Sequence, residues 1–157
     1  MTGNPLFRPS RDLVISGVGP DDETFSGEFG GRYLTYNVSK ARRDCLAGKH
    51  GAPFAFDVVP AYEGNKRVEV DGDKVQRYMR RPDILDTPLI MVIEHGAAWM
   101  IDGHHRLRAH YRLGLALFVG YVIEEADRDQ YLVLFNGKAE MPEALRHPDI
   151  FGKAGLS

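Results

Sequence analysis

The segment Ala98–Gly114, AWMIDGHHRLRAHYRLG, sets an acid, a glycine, two histidines and two arginines side by side at Asp102–Arg108. An apolar strand that stops at Asp102-Gly103 and turns directly into a basic helix aims backbone N–H groups and the positive end of the helix dipole at one spot. The natural guest of such a spot is a phosphate. Gly103 permits the tight turn and lets an oxygen-rich ligand approach the backbone. Arg106 carries a planar fork of donors suited to phosphate, and His104 and His105 can donate to phosphate oxygens or carry a proton near neutral pH. Arg108 adds a further cation. Asp102, acceptor-only when ionised, has three chemical uses here: holding Mg2+ between phosphates, orienting a histidine, or taking the proton of an attacking hydroxyl. Its cationic neighbours favour the ionised form, and hence metal holding or electrostatic work over general-acid work.

Each of these residues also has a plainer reading. Asp102 can cap the helix, since Asp is a preferred N-cap residue. Arg108 and Arg112, four apart, can form a solvated face, and His110 reads as a surface or half-buried helix residue. Adjacent histidines do not share a helical face and HExxH spacing is absent, which argues against a zinc pair. The motif can also be kept for packing alone. Tyr62, Tyr78, Trp99 and Tyr111 could stack on a base, but aromatics at such positions are more often core.

The rest of the chain must position this turn. Its 157 residues, 43% apolar and 27% charged, suit one soluble globular domain with a real core. A net charge of −2 argues against coating nucleic acid by bulk charge. The basic residues cluster instead at Arg42-Arg43, Arg77/Arg80/Arg81 and Arg106/Arg108/Arg112. A single cysteine, Cys45, excludes an internal disulfide, a CxxC motif and a cysteine-based zinc finger. No apolar run approaches the ~20 residues that span a bilayer, and MTGNPLFRPSRD lacks the layout of a signal peptide; the expectation is a cytoplasmic protein with no membrane partner.

Residues 1–31 read as a flexible N-terminal arm (1–12) and a glycine- and acid-rich mobile loop (16–31), a solvated linker or a lid over the site, with Leu13-Val14-Ile15 between them as a short edge strand or docking segment. Residues 32–157 read as a single domain. Within it, Arg32–Tyr36 is an expected strand and Val38–Ala47 a helix. Asn37 or Ser39 would cap that helix, and Val38, Ala41, Cys45 and Leu46 would share its buried face. Phe54–Val59 is an expected strand ended by Pro60. A turn-rich connection follows, then a short helix near Lys74–Arg80, and an irregular stretch between Pro82 and Pro88. Pro88–Glu94 and Ala98–Ile101 form a hairpin about His95-Gly96-Ala97. In helix 104–113, Leu107, Tyr111 and Leu113 would supply the core face and Gly114 the C′ residue. Leu117–Ile123 is a strand, Asp127–Phe135 a helix stopped at Asn136-Gly137, and Pro142–Arg146 a last short helix. The order implies an α+β fold, a small mixed β-sheet with surrounding helices.

The stretch Gly103–Ala109, GHHRLRA, resembles the G-x-x-R-x-R-A phosphate-binding motif of the ParB/sulfiredoxin superfamily. The preceding hairpin and the following Arg112-Leu113-Gly114 are similar too, and the likeness extends from about residue 54 to 123. With Asp102 included, the motif is closest in pattern to the free-serine-kinase-like branch. There an Asp and a Glu from the loop after the first strand serve phosphotransfer. The resemblance implies Asp102 and Glu63 as catalytic residues, with Glu69 as a less apt stand-in. It implies Gly103, His104, His105, Arg106 and Arg108 as a cradle for ATP or another nucleotide, and Asp102 as a ligand of Mg2+. Sulfiredoxins place their catalytic cysteine where this chain has His104, so sulfinic-acid reduction is not implied. Partition ParB proteins carry Glu at that position and a helix-turn-helix domain, neither of which is seen here. The expected activity is an ATP- or ADP-dependent phosphotransferase or NTPase acting on a small hydroxyl-bearing substrate. The alternative is a small ParB-like DNA-associated accessory protein or nuclease that uses nucleotide as a switch.

Overall fold

The run Leu89–Glu94 is apolar at almost every position, and the structure shows why: it is buried on both faces. The structure, a computed structural model, describes residues 15–29 and 31–135. Its main sheet has the order β4-β7-β5-β6, made of β4 (Phe54–Asp57), β5 (Leu89–Glu94), β6 (Ala97–Asp102) and β7 (Leu117–Ile123). β5 and β6 form an antiparallel hairpin whose two turn residues, His95 and Gly96, both have positive φ (52° and 79°), the backbone of a type I′ turn. β5 pairs with β7 in parallel, and β7 with β4 antiparallel. The sheet is therefore mixed, as expected.

Two layers cover it. Leu89 and Met91 of β5, with Met100 and Phe118, pack under α2 (Val58–Asn65) and α5 (His104–Arg112) through Val58 and Leu107. Ile90, Val92, Ile101 and Ile123 face the opposite layer. That layer is built from the hairpin β2 (Thr24–Phe29) and β3 (Arg32–Asn37), helix α1 (Val38–Leu46) and a 3-10 helix at Glu125–Tyr131. The period of two along the strands thus divides the core cleanly. Helix α3 (Gly72–Tyr78) and the single turn α4 (Pro82–Leu85) close the side next to α5.

α1 begins at Asn37, whose Oδ1 accepts from the Lys40 N–H at 3.0 Å. Its Nδ2 donates to Gly17 O at 2.6 Å and to Asp22 Oδ2 at 2.9 Å, so one buried amide ties helix, hairpin and the preceding loop together. Replacing Asn37 by Ala is expected to lower stability by about 1–2 kcal/mol, from the lost cap and the stranded partners; chemical denaturation with an unchanged m-value checks it.

Several expectations are corrected. The stretch 16–31 is not a loop throughout. Thr24–Phe29 is a strand whose Phe25 and Phe29 enter the core, because their spacing of four puts both rings on one face of the ribbon. The strand at Phe54 ends at Asp57 rather than Val59, and Pro60 lies in the first turn of α2, where a helix has no use for its missing N–H. Leu46 is 67% exposed, and Tyr111 and Leu113 are exposed as well. α5 instead buries His104, His105, Leu107, Ala109 and His110. His110 is therefore interior, its Nδ1 2.7 Å from Arg106 O. In place of a helix over 127–135, the 3-10 helix stops at Tyr131. The chain then runs extended, and Val133 N–H donates to Thr35 O. Three consecutive buried residues, Tyr131, Leu132 and Val133, suit an extended segment between packed layers and not one stripe of a helix. Ile15–Ser16 forms β1, which pairs with β8 (Leu134–Phe135). The arm at 1–12, the stop at Asn136-Gly137 and the helix at Pro142–Arg146 lie outside the described residues. None of the described helices is long and apolar enough to cross a membrane.

Candidate functional site

β6 does not run regularly into Asp102. Ile90 pairs with Asp102 but Met91 pairs with Met100, so Ile101 is an extra residue, a β-bulge. Such a bulge turns two consecutive side chains to one side of a sheet. Ile101 enters the core beneath the β2–β3 hairpin and α1, and Asp102 reaches Arg42 of α1 while it keeps a contact to Arg106 of α5.

The Asp102 carboxylate is 1% exposed and held by two guanidiniums. Arg42 donates from Nε to Oδ2 at 3.3 Å and from Nη2 to Oδ1 at 3.1 Å. Arg106 donates from Nη2 to Oδ2 at 3.3 Å and also contacts Pro88 O at 3.4 Å. Arg42 is 35% exposed and lies 3.6 Å from Glu23 Oε1; Arg106 is 11% exposed, and among the described residues its Nε has no hydrogen-bond partner. Sequence reasoning did not count Arg42 as a site residue; the Arg42-Arg43 pair was the available signal.

Gly103, not Asp102, is the N-cap of α5, with φ 105° and ψ 18°. The glycine is required, but what approaches its backbone is the protein itself: a Cβ there would sit 2.4 Å from Leu89 Cγ and 3.1 Å from Arg106 Nη2. His104, 3% exposed, stacks on Phe25 with ring centroids 4.6 Å apart. Burial pulls its pKa down to about 4, so the ring is neutral, and among the described residues neither of its nitrogens has a hydrogen-bond partner. His105 is buried too, and its Nε2 accepts from the Asp71 N–H at 3.0 Å.

The remaining expected site residues stand elsewhere. Arg108 donates to Lys66 O at 3.2 Å and lies 5.3 Å over the Tyr62 ring, which stacks on Tyr111 at 3.7 Å; it pins α5 to α2. Glu63 is on the exposed side of α2, paired with Lys66 at 2.8 Å, and Glu69 is exposed. Neither shares a partner with Asp102. Cys45 is buried and its thiol is pushed up to about 12 by burial, as befits a small core hydrophobe.

Beside Asp102 a small cavity of about 40 Å³, lined by Arg42, Cys45, Thr87 and Tyr121 among others, leaves room for little more than a water. The open concave seat expected at this turn is thus closed by the protein's own side chains. Mg2+ does not fit at Asp102: its oxygens already serve two cations, and among the described residues no group of three or more His, Cys, Asp or Glu is placed to hold a metal. What the corner offers is two guanidiniums and a helix N-terminus converging on one carboxylate. Comparisons with family models, with curated proteins and with solved structures find no match for this chain.

Proposed function

We propose that the chain binds the polyphosphate of a nucleotide where β6 passes into α5, and that it acts as an ATP- or ADP-dependent phosphotransferase or NTPase. The observation that carries this reading is the set of buried donors without acceptors at the first turn of α5: the neutral His104 ring and Arg106 Nε. Buried donors seek partners, and an anion at a nine-residue helix's N-terminus supplies several at once. The resemblance of Gly103–Ala109 to the ParB/sulfiredoxin phosphate motif points the same way.

The corner is closed as it stands, so this reading requires it to open on binding: Asp102 occupies the place of a phosphate's charge and has to give way. A phosphate that takes over Arg42 and Arg106 frees Asp102 to accept the proton of an acceptor hydroxyl. Glu63, outward on α2, takes no part beside Asp102. The rival reading is architectural: Arg106 ties Asp102 to Pro88 O over the Leu89–Gly103 contact, and the corner is a staple of the fold.

Calorimetry against ATP, ADP and CTP with Mg2+ separates the two. Saturable binding is expected in the wild type, weakened at least about tenfold, or ~1.4 kcal/mol, by Arg106→Ala. Asp102→Asn is expected to retain binding and lose turnover. Wild-type protein that binds none of the three at millimolar concentration leaves the architectural reading.

A further inference from the structure

On the α2 face of the sheet, away from the Asp102 corner, lies an open groove of about 480 Å³, within the size range of small-ligand sites. Its floor is soft and polarisable: Met91 and Met100 lie beside Phe118, and Phe56 stacks on Phe118 with centroids 5.6 Å apart. Its α2 wall is low at Gly64, where an added Cβ would meet nothing within 4 Å.

The polar groups are few and of one kind. Among the described residues Asp57 is the sole charged residue of the lining. It occupies the N-cap position of α2, yet its carboxylate makes no capping hydrogen bond, and no ion pair occupies it among the described residues. Asn65 spends its Nδ2 on Ala61 O at 2.8 Å, which leaves Oδ1 as an acceptor. The side chains of the groove thus present acceptors and one negative charge, over aromatic rings and thioethers, with no basic group to oppose them.

We infer that this groove binds a small organic cation, a primary ammonium carried on an apolar body. The body covers the floor, where it removes apolar surface from water. The ammonium, three donors and no acceptor, meets Asp57 and Asn65 Oδ1 and gains from the nearby ring faces. A carboxylate ligand of the same shape meets the Asp57 charge and side chains that offer it acceptors, against which the N-terminus of the short helix α2 sets only a partial positive charge.

The test is calorimetric titration of the full chain with phenethylammonium, its neutral counterpart 2-phenylethanol and its anionic counterpart phenylacetate. Phenethylammonium is expected to bind roughly fivefold more tightly than the alcohol, the worth of a partly solvated charge pair, and phenylacetate more weakly than either. Asp57→Asn, which keeps a good N-cap residue, is expected to erase the gap between ammonium and alcohol. Gly64→Leu, which favours the helix and fills the groove, is expected to abolish binding of both while the thermal midpoint holds or rises. The inference is overturned by equal binding of ammonium and alcohol, by a gap that survives Asp57→Asn, by binding that survives Gly64→Leu, or by no saturable ammonium binding up to ~10 mM.

Discussion

Replacing Arg128 by Met is expected to cost about 3–5 kcal/mol of stability. The reason is Glu94, whose side chain is 0% exposed at the end of β5. Arg128 of the 3-10 helix lies with Nε 2.7 Å from Oε2 and donates from Nη2 to Oε1 at 3.1 Å. The exposed His95 has its Nε2 3.3 Å from Oε1, Arg32 Nη1 stands farther off at 3.7 Å, and Tyr36 donates weakly at 3.5 Å. Without Arg128 a carboxylate remains in the interior with half-exposed or distant partners. Removing both charges is a different matter, since a buried pair can often be replaced by apolar groups with little loss. Glu94→Leu combined with Arg128→Met is therefore expected to recover most of the stability. Denaturant midpoints of the two single variants and the double close the cycle. A loss below 1 kcal/mol for Arg128→Met, or a double variant weaker than the single, would show that Arg32, His95 and Tyr36 suffice.

That ion pair also shows which parts of the fold could be read from the sequence. The hairpin, α1, α5 and β7 were legible because each is a local matter: an apolar run of the right period, a cap, a glycine at the end. β7 lies at Leu117–Ile123, as its run predicts, and α1 starts at its expected cap. What was not legible depends on partners distant in sequence. Glu94 reads as the polar end of a strand until Arg128 is brought to it. Tyr131–Val133 reads as a helical stripe until β3 offers Thr35 O to the Val133 N–H. Phe25 and Phe29 stand among glycines and acids whose turn chemistry outweighs two aromatics in any local window. Their strand exists because β3 supplies a partner at every residue from Arg32 to Asn37.

At the site, the turn itself was legible: Asp-Gly before a helix implied a tight turn at Gly103, which the structure puts in the left-handed region, whereas the burial of Arg106 was not legible. The direction of Asp102 was not, because it depends on a bulge, and one extra residue turns a side chain to the other face. The sequence therefore pairs Asp102 with the helix face of the sheet and with Glu63, whereas the structure holds it between Arg42 of α1 and Arg106 of α5 and pairs Glu63 with Lys66. The same displacement explains why two arginines meet over an interior carboxylate and not over an open surface.

His104 links the stability of this corner to its use. In the folded chain its pKa lies near 4 because burial disfavours the charged ring; unfolded, it returns to about 6.5. Between these values the unfolded state holds the extra proton, so stability rises with pH across the window and is lost on acidification. The loss attributable to this residue is expected to reach about 2 kcal/mol at pH 5 and about 3 kcal/mol at pH 4, relative to pH 7.5. His104→Phe keeps the stack on Phe25 and removes the titration. Its stability at pH 7.5 includes a packing change, but that change is constant with pH. The difference between wild type and variant should therefore shift by about 3 kcal/mol toward the variant between pH 7.5 and pH 4; parallel curves would remove His104 from the acid limb. Nucleotide then decides between the two readings of the corner. A phosphate oxygen beside the ring supplies the missing acceptor and favours the imidazolium, so saturating ATP is expected to shrink the acid loss in the wild type and to leave Arg106→Ala unaffected. If the corner is only a staple, ATP leaves both acid limbs where they are, and the buried imidazole is a cost the fold carries for packing Phe25 against α5.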